Sequence, residues 1–239
     1  MNNTIGILGG MGPLATCDLY KKIISVTKAE RDQDHVRVCI DSNSRIPDRT
    51  AAILYNGTDP VPEMVRSAIK LENMGADVLV MPCNTAHYFY DRLLPFINVP
   101  FINMLDSTAT AAAESGIKKA GLLATSGTIE AGVYQRAFES KGISLEYPDS
   151  DGQRAVMGVI YDGIKKGNLE YDLSQFLFAI QALFRCGCQT VILGCTELPV
   201  AFETWELNYP HLDPTLILAM AVVRFLGYET KTSAPQFSL

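Results

Sequence analysis

The chain has 239 residues, of which 48% are hydrophobic and 19% are charged, so it can bury a large core and lacks the composition of a disordered protein. Its formal net charge of −6 argues against a nucleic-acid-binding protein, which needs a basic face to neutralise phosphates. No apolar run approaches a membrane span and no signal-peptide pattern opens the chain, so we expect a cytoplasmic protein of one or two domains with six free thiols and no membrane partner.

Short apolar segments alternate along the chain with segments of helical spacing. The pattern predicts strands at residues 4–8, 36–40, 77–81, 99–103, 119–124, 144–147 and 190–193. It predicts helices at residues 60–74, 105–115, 129–141, 153–166, 171–185 and 214–226, and another that starts near Pro13. Continuous apolar strands separated by helices are typical of parallel sheets covered on both faces, so the sequence predicts an α/β fold.

Two segments recur in the same order in the two halves of the chain. Residues 75–85 (GADVLVMPCNT) match residues 187–197 (GCQTVILGCTE) at an offset of 112, and residues 6–10 (GILGG) match residues 121–125 (GLLAT) at an offset of 115. The repeat predicts two pseudo-symmetric, open parallel-sheet α/β domains. Because the last predicted helix lies beyond the second repeat, we assign residues 1–104 plus 212–239 to the first domain and 105–211 to the second.

Each repeat places a cysteine directly after a buried strand, Cys83 in the first and Cys195 in the second. Ligands bind at the carboxyl ends of strands in such sheets, so two domains that faced each other would bring both thiols to one interdomain cleft. Inverting a stereocentre needs a base on one face of a carbon and an acid on the other, and two identical groups can exchange these roles. The alternative is that both cysteines are small buried hydrophobic residues.

Three motifs identify a resemblance to a known family. Residues 6–16 (GILGGMGPLAT), 81–87 (MPCNTAH) and 193–199 (LGCTELP) together resemble the aspartate/glutamate racemase family, most closely its aspartate racemase branch. The resemblance implies a homodimeric racemase that needs no cofactor or metal and interconverts L- and D-aspartate. It also implies that the active site lies between two α/β domains and that Cys83 and Cys195 are the catalytic residues.

The resemblance further implies cations that hold the substrate carboxylates. Residues 46–50 (IPDRT) are similar to the family's substrate loop, which places Arg49 on a carboxylate; residues 164–167 (IKKG) are similar to the segment with the second cation, assigned to Lys165 with Lys166 as the alternative. Without the family, these would be interpreted as solvated surface charges. The other predicted substrate-binding residues supply backbone or side-chain donors: Met11, Asn84, Thr85, Thr125, Ser126, Thr128 and Thr196. For Ser126 and Thr128, helix capping is an equally good interpretation.

Weaker signals are assigned to structure. The glycine-rich turn at residues 6–12 lacks the spacing of a dinucleotide-binding or phosphate-binding loop, and Cys186 and Cys188 lack the spacing of a zinc site. We interpret Cys17 and Cys39 as core residues. His87 lies one helical turn after Cys83, and we expect it to tune that thiol.

Three other functions remain open at this point. The enzyme could be a glutamate or broad-specificity racemase, which a panel of single enantiomers would distinguish. A maleate isomerase-like reaction, in which one cysteine attacks a carbon–carbon double bond, is a second. A module that binds an acidic amino acid without reaction is the third.

Overall fold

The computed structural model of the chain describes residues 3–231. Its contacts divide the chain into two units: residues 3–107 with 215–231, called the first unit, and residues 108–214, called the second unit. The division falls three residues later at each crossing than the boundaries expected from the sequence repeat. No helix in residues 3–231 is long and apolar enough to cross a bilayer.

Each unit contains one parallel sheet. The strands are β1 (Thr4–Gly9), β2 (Arg37–Ser42) and β3 (Val78–Val80) in the first unit, and β4 (Lys119–Leu123), β5 (Ser144–Glu146), β6 (Thr190–Leu193) and β7 (His211–Leu212) in the second. Their orders are β2-β1-β3 and β5-β4-β6-β7, so the first three strands of each unit are arranged alike, as the repeat predicts. The predicted fold class of two parallel-sheet α/β domains is confirmed. The two-residue β7 was not predicted.

The helices connect and cover these strands. They are α1 (Pro13–Val26), α2 (Arg49–Leu54), α3 (Val61–Asn73), α4 (Tyr90–Leu93), α5 (Met104–Glu114), α6 (Ser126–Glu130), α7 (Val133–Glu139), α8 (Ser150–Gly158), α9 (Ser174–Arg185), α10 (Glu197–Thr204) and α11 (Pro214–Phe225). Short 3-10 turns lie at Asp32–Asp34, Thr85–Phe89 and Leu94–Phe96. Pro13 occupies the first turn of α1, where its missing N–H costs no hydrogen bond.

The sheet of the first unit is buried on both faces because successive side chains of β1 point to opposite sides. Ile5 and Ile7 join a cluster with α1 and α11, to which α11 contributes Leu218, Ala219, Val222 and Val223. Leu8 joins a second cluster on the other face, with side chains from α3. Helix α11 therefore supplies part of the core of the first unit, although it is the last helix of the described chain.

Three predicted elements differ in the structure. Residues 99–103 do not form a strand, since only Phe101 pairs with the sheet, through a single bridge to Leu79. The helix predicted at 129–141 is divided into α6 and α7 at Gly132, whose φ of +61° interrupts the helix. The helix predicted at 153–166 changes at Val159 into a π-helical segment that continues to Ile164.

The prediction that Cys17 is a core residue is wrong. The buried residues of α1 are Ala15, Thr16, Leu19, Ile23 and Val26, which recur at helical spacing. Cys17 lies outside this face and is exposed, whereas Cys39 is buried as predicted. The position along the helix, rather than the residue type, decides burial here.

Candidate active site

The carboxyl edge of the first sheet carries the first group of predicted site residues. Strands β1 and β3 are neighbours, with Ile7 opposite Val80, so the segments after them emerge side by side. Met11 follows β1 and Cys83 follows β3, and both belong to one buried cluster. We call Met11, Arg49, Cys83, Asn84 and Thr85 the Cys83 cluster.

The loop before α2 holds the Arg49 guanidinium. Nη1 donates to the carbonyl oxygens of Ile46 at 3.2 Å and Pro47 at 2.9 Å, and Nη2 reaches the carbonyl oxygen of Met11 at 3.4 Å. Asp48 caps α2 by accepting a hydrogen bond from the Ala51 N–H at 2.7 Å. Within residues 3–231, Arg49 forms no ion pair and its buried Nε has no hydrogen-bond partner. The structure therefore places Arg49 beside Met11 with one donor left over.

His87 holds the backbone of Cys83 and does not contact its thiol through either ring nitrogen. Its Nε2 accepts a hydrogen bond from the Met104 N–H at 3.1 Å, so the proton lies on Nδ1, which donates to the Cys83 carbonyl oxygen at 2.8 Å. The expectation that the imidazole tunes the thiol is therefore not supported by these contacts. Asn84 and Thr85 are buried, and Thr85 begins a 3-10 turn that continues to Phe89.

Burial gives His87 a predictable effect on stability. Desolvation of the ring lowers the pKa of His87 from 6.5 to about 4. Between pH 4 and 6.5 the unfolded chain binds a proton at His87 that the folded chain does not bind. The free energy of unfolding therefore falls as the pH drops from 6.5 to 4, and this group does not affect it above pH 6.5. We expect a loss of about 3 kcal/mol from this residue.

Urea unfolding of the wild type and of His87→Gln at several pH values measures that loss. The glutamine can form both hydrogen bonds but does not titrate, so this part of the pH dependence should disappear. His35→Gln is the control and should keep it. An equally steep pH dependence in His87→Gln would show that the cause lies elsewhere.

The carboxyl edge of the second sheet carries the second group. Strands β4 and β6 are neighbours, with Leu123 opposite Leu193. The Thr125 side chain follows β4 and caps α6 by accepting from the Thr128 N–H at 3.3 Å, and the two threonine hydroxyls lie 3.0 Å apart. The N-cap of α6 is therefore Thr125, whereas Ser126 and Thr128, for which capping was the alternative interpretation, lie inside the helix. The Ser126 hydroxyl accepts from Gln153 Nε2 at 3.4 Å.

Cys195 follows β6 and contacts a carboxylate. Its thiol donates to Glu197 Oε2 at 2.9 Å, and the Thr196 hydroxyl donates to the same oxygen at 3.3 Å. Burial, and then the Glu197 charge, raise the pKa of the Cys195 thiol well above its usual value. Sequence reasoning missed Glu197. The signal was available, because a carboxylate two residues after a candidate catalytic thiol can reach it.

Lys165 and Lys166, the two candidates for the second predicted cation, have different surroundings. Lys165 Nζ lies 3.7 Å from Glu197 Oε1 and 4.3 Å from the centre of the Tyr161 ring. Lys166 instead pairs with Asp162 at 2.7 Å and its side chain is 70% exposed. We call the predicted residues of this unit the Cys195 cluster: Thr125, Ser126, Thr128, Lys165, Cys195 and Thr196.

A cavity of about 410 Å³ opens beside Ser126, and its walls include Gln153, Met157 and Tyr161. The other two cysteines of the second unit differ in burial, with Cys188 buried and Cys186 exposed. No group of three or more His, Cys, Asp or Glu side chains within residues 3–231 is arranged to hold a metal ion.

A family model described as Asp/Glu/Hydantoin racemase matches residues 8–222, a range that includes both clusters. The chain belongs to this racemase family. The resemblance predicted from the three motifs is therefore confirmed.

Known proteins resemble this racemase in sequence or structure over nearly its whole length. A solved structure of Picrophilus torridus aspartate racemase is 33% identical, with a TM-score of 0.86, and the match covers 99% of this chain and 100% of that one. The broad-specificity amino-acid racemase RacX of Bacillus subtilis is 28% identical over 95% of this chain and 100% of its own length. A putative Asp/Glu racemase from Yersinia pestis is 27% identical with a TM-score of 0.80, covering 94% and 99%. The chain is an amino-acid racemase of this family.

Proposed function

We propose that this racemase interconverts L- and D-aspartate by direct 1,1-proton transfer at Cα, with Cys83 and Cys195 as the two acid–base groups and no cofactor. The observation that carries the proposal is the equivalent position of the two thiols. Cys83 follows β3 and Cys195 follows β6, and these strands hold the third position in the sheet orders β2-β1-β3 and β5-β4-β6-β7. Both cysteines are buried at the carboxyl edges of their sheets.

In the proposed reaction, one cysteine thiolate removes the α-proton and the other thiol delivers a proton to the opposite face of the carbon. The roles reverse for the other enantiomer, which requires that both sulfur atoms reach the same α-carbon. The α-carbon of an amino acid is a very weak acid, because the carbanion that forms when its proton is removed is high in energy. Hydrogen bonds and cations around the substrate carboxylate must therefore stabilise this carbanion. Arg49 and Lys165 are the cations that the proposal assigns to this role.

An acidic amino acid is the proposed substrate class because it has two carboxylates to match two cations. The unused Nε of Arg49 lies on the edge of a planar guanidinium, which can bind a carboxylate side-on. Within that class we choose aspartate because the similar Picrophilus torridus protein is an aspartate racemase. Further substrate contacts are proposed for Met11, Asn84, Thr85, Thr125, Ser126, Thr128 and Thr196.

A wider substrate range is the second candidate. RacX, whose match covers 95% of this chain, is named a broad-specificity enzyme, and several similar proteins are named glutamate racemases. Two substrates that differ by one methylene are distinguished by a pocket with a difference in binding free energy of only about 1–3 kcal/mol. Glutamate, which has one methylene more, is therefore the closest competitor of aspartate. The homodimer implied by the resemblance stays a prediction.

Incubation with single enantiomers in deuterated water tests the proposed function. The purified protein, dialysed against a chelator and free of pyridoxal phosphate, is mixed with L-aspartate. The two enantiomers are separated by chiral chromatography, and their deuterium content is measured by mass spectrometry. We expect D-aspartate that carries one deuterium at Cα. Parallel reactions with L-glutamate, neutral amino acids and maleate identify the competing activities, and binding of aspartate without deuterium incorporation would contradict the proposal.

Replacing Arg49 tests the assignment of the acidic side chain. Arg49→Ala is expected to lower kcat/KM for aspartate by roughly 10- to 100-fold, the range of a lost charge-assisted hydrogen bond, and to affect a neutral amino acid much less. Steady-state kinetics on both substrates measures the difference. Arg45→Ala is a matched control because Arg45 lies exposed in the same loop. Equal losses on both substrates would assign Arg49 to loop structure alone.

A further inference from the structure

One face of α8 holds the turn between β4 and α6. Gln153 and Met157 are four residues apart in α8, so their side chains lie on the same side of the helix, one turn apart. Gln153 Nε2 donates to the Ala124 carbonyl oxygen at 3.0 Å and reaches the Ser126 hydroxyl oxygen at 3.4 Å. The Ser126 N–H donates to Met157 Sδ at 3.4 Å. The residues on both sides of Thr125 are therefore bound to α8 by side chains.

The Ser126 hydroxyl differs from the other hydroxyls of the Cys195 cluster. The Thr125 and Thr128 hydroxyls bind each other at 3.0 Å, and the Thr196 hydroxyl donates to a carboxylate at 3.3 Å. The Ser126 oxygen accepts from Gln153, and no group within residues 3–231 accepts its proton. Ser126 also borders the cavity of about 410 Å³, so a ligand has room beside it. Its hydroxyl thus has a proton available for a substrate.

We propose that Gln153 is a positioning residue of this racemase, whose amide holds Ser126 so that the serine hydroxyl donates to a substrate carboxylate. When a hydroxyl oxygen accepts a hydrogen bond, its own proton points in another direction and can be donated there. A donor fixed beside the carboxylate stabilises the negative charge that spreads onto it in the carbanion. Gln153 acts through Ser126 and does not contact the substrate. The inference rests on the proposed function, in which Ser126 contacts the substrate.

The other end of the Gln153 amide supports a role for its donor. Oε1 is buried and has no hydrogen-bond partner within residues 3–231. Exchanging the amide nitrogen and oxygen would place the oxygen against the Ala124 carbonyl oxygen, so the contacts require the observed orientation. A buried acceptor without a partner lowers the free energy of unfolding. Gln153 therefore contributes through the two contacts that Nε2 makes, and both lie in the turn that carries Ser126.

A double-mutant cycle tests whether Gln153 acts through Ser126. Gln153→Met, Ser126→Ala and the double variant are compared by steady-state kinetics with L-aspartate. Ser126→Ala should lower kcat/KM by roughly 10- to 100-fold, the range of a lost hydrogen bond to a charged group. Gln153→Met should lower it by about 3- to 10-fold, because the hydroxyl remains but is no longer oriented. In the Ser126→Ala background, Gln153→Met should cost less than about 2-fold, since no hydroxyl is left to orient.

Two measurements control for a purely structural role. Gln135→Met is the matched variant, because Gln135 is an exposed glutamine of α7 whose Nε2 donates to Glu139 at 2.8 Å, and it should leave kcat/KM unchanged. The urea midpoint of Gln153→Met should stay close to the wild-type value, since the variant removes the unpaired Oε1 while the Ala124 carbonyl loses its donor. If Gln153→Met does not fold, Gln153→Asn replaces it in the cycle, because it keeps the amide but withdraws it by one methylene.

The remaining outcomes separate this inference from the proposed function. Full activity of either single variant, or an equal loss from Gln153→Met with and without the Ser126 hydroxyl, would contradict the inference while racemisation by the wild type stands. If the wild type does not racemise aspartate, the proposed function fails, and the cycle is repeated by calorimetric titration with the dicarboxylate succinate. Weaker succinate binding in Gln153→Met that disappears in the Ser126→Ala background would still support the inference. Equal binding by all variants would contradict it, and no binding by an inactive wild type would contradict both proposals.

Discussion

Replacing either Cys83 or Cys195 by serine is expected to lower kcat/KM for racemisation by about 100- to 10,000-fold, the range for loss of one general acid–base group. A hydroxyl matches a thiol in size, so both variants should fold, but it ionises far less readily near neutral pH. Chiral chromatography measures turnover, and thermal unfolding by circular dichroism checks the fold.

The single variants should also lose one direction of proton exchange. Each retains one thiol, so it should exchange the α-proton of only the enantiomer whose Cα–H faces that thiol, and Cys83→Ser and Cys195→Ser should prefer opposite enantiomers. Cys39→Ser and Cys188→Ser are matched controls, because both cysteines are buried but lie outside the two clusters. Turnover close to the wild-type rate in either active-site variant would rule out the two-thiol mechanism.

Gly10→Ala is expected to destabilise the first unit by about 3 kcal/mol or more. Gly10 follows β1 with φ of +90°, and a Cβ atom there would lie 2.3 Å from the backbone of Asn43. Left-handed strain costs an alanine about 1–2 kcal/mol, and the contact with backbone adds a similar amount because backbone cannot rotate away. Urea unfolding measures the free energy.

Gly75→Ala separates the two causes. Gly75 has nearly the same φ, +88°, but an added Cβ would meet nothing within 4 Å. Its loss should therefore report the backbone strain alone, and the difference between the variants reports the contact with Asn43. Equal losses would show that the close approach is relieved by a small shift. Since Gly10 precedes Met11, we also expect Gly10→Ala to reduce racemase activity.

The sheets and the candidate thiols were predictable because both follow from local pattern. Apolar strands such as 190–193 can be recognised without knowledge of their partners, and the repeat aligned Cys83 with Cys195. The elements that were predicted wrongly depend on contacts between residues far apart in the chain or on the conformation of one backbone position. Residues 99–103 have the composition of a strand but pair with the sheet only at Phe101, because strand formation depends on a partner as well as on propensity.

Side-chain contacts were the least predictable part of the site. The Arg49 guanidinium is held by three backbone carbonyl oxygens, and no sequence pattern specifies where a loop points its carbonyls. His87 was placed correctly next to Cys83, but its contacts with a carbonyl and an amide depend on the fold around Met104. The Glu197 contact depends on a rotamer that sequence spacing permits without requiring.

Helix α11 has a consequence for how the protein is made. It is the last described helix to leave the ribosome, yet its Leu218 and Val222 share a buried cluster with Ile5 and Ile7, which are synthesised more than 200 residues earlier. At ribosomal speeds of about 5–20 residues per second, that apolar surface waits roughly ten seconds or more for its cover. The second unit is continuous in sequence and can complete its own core during that delay. Until α11 has been made, nascent chains therefore expose the apolar face of β1 that it covers.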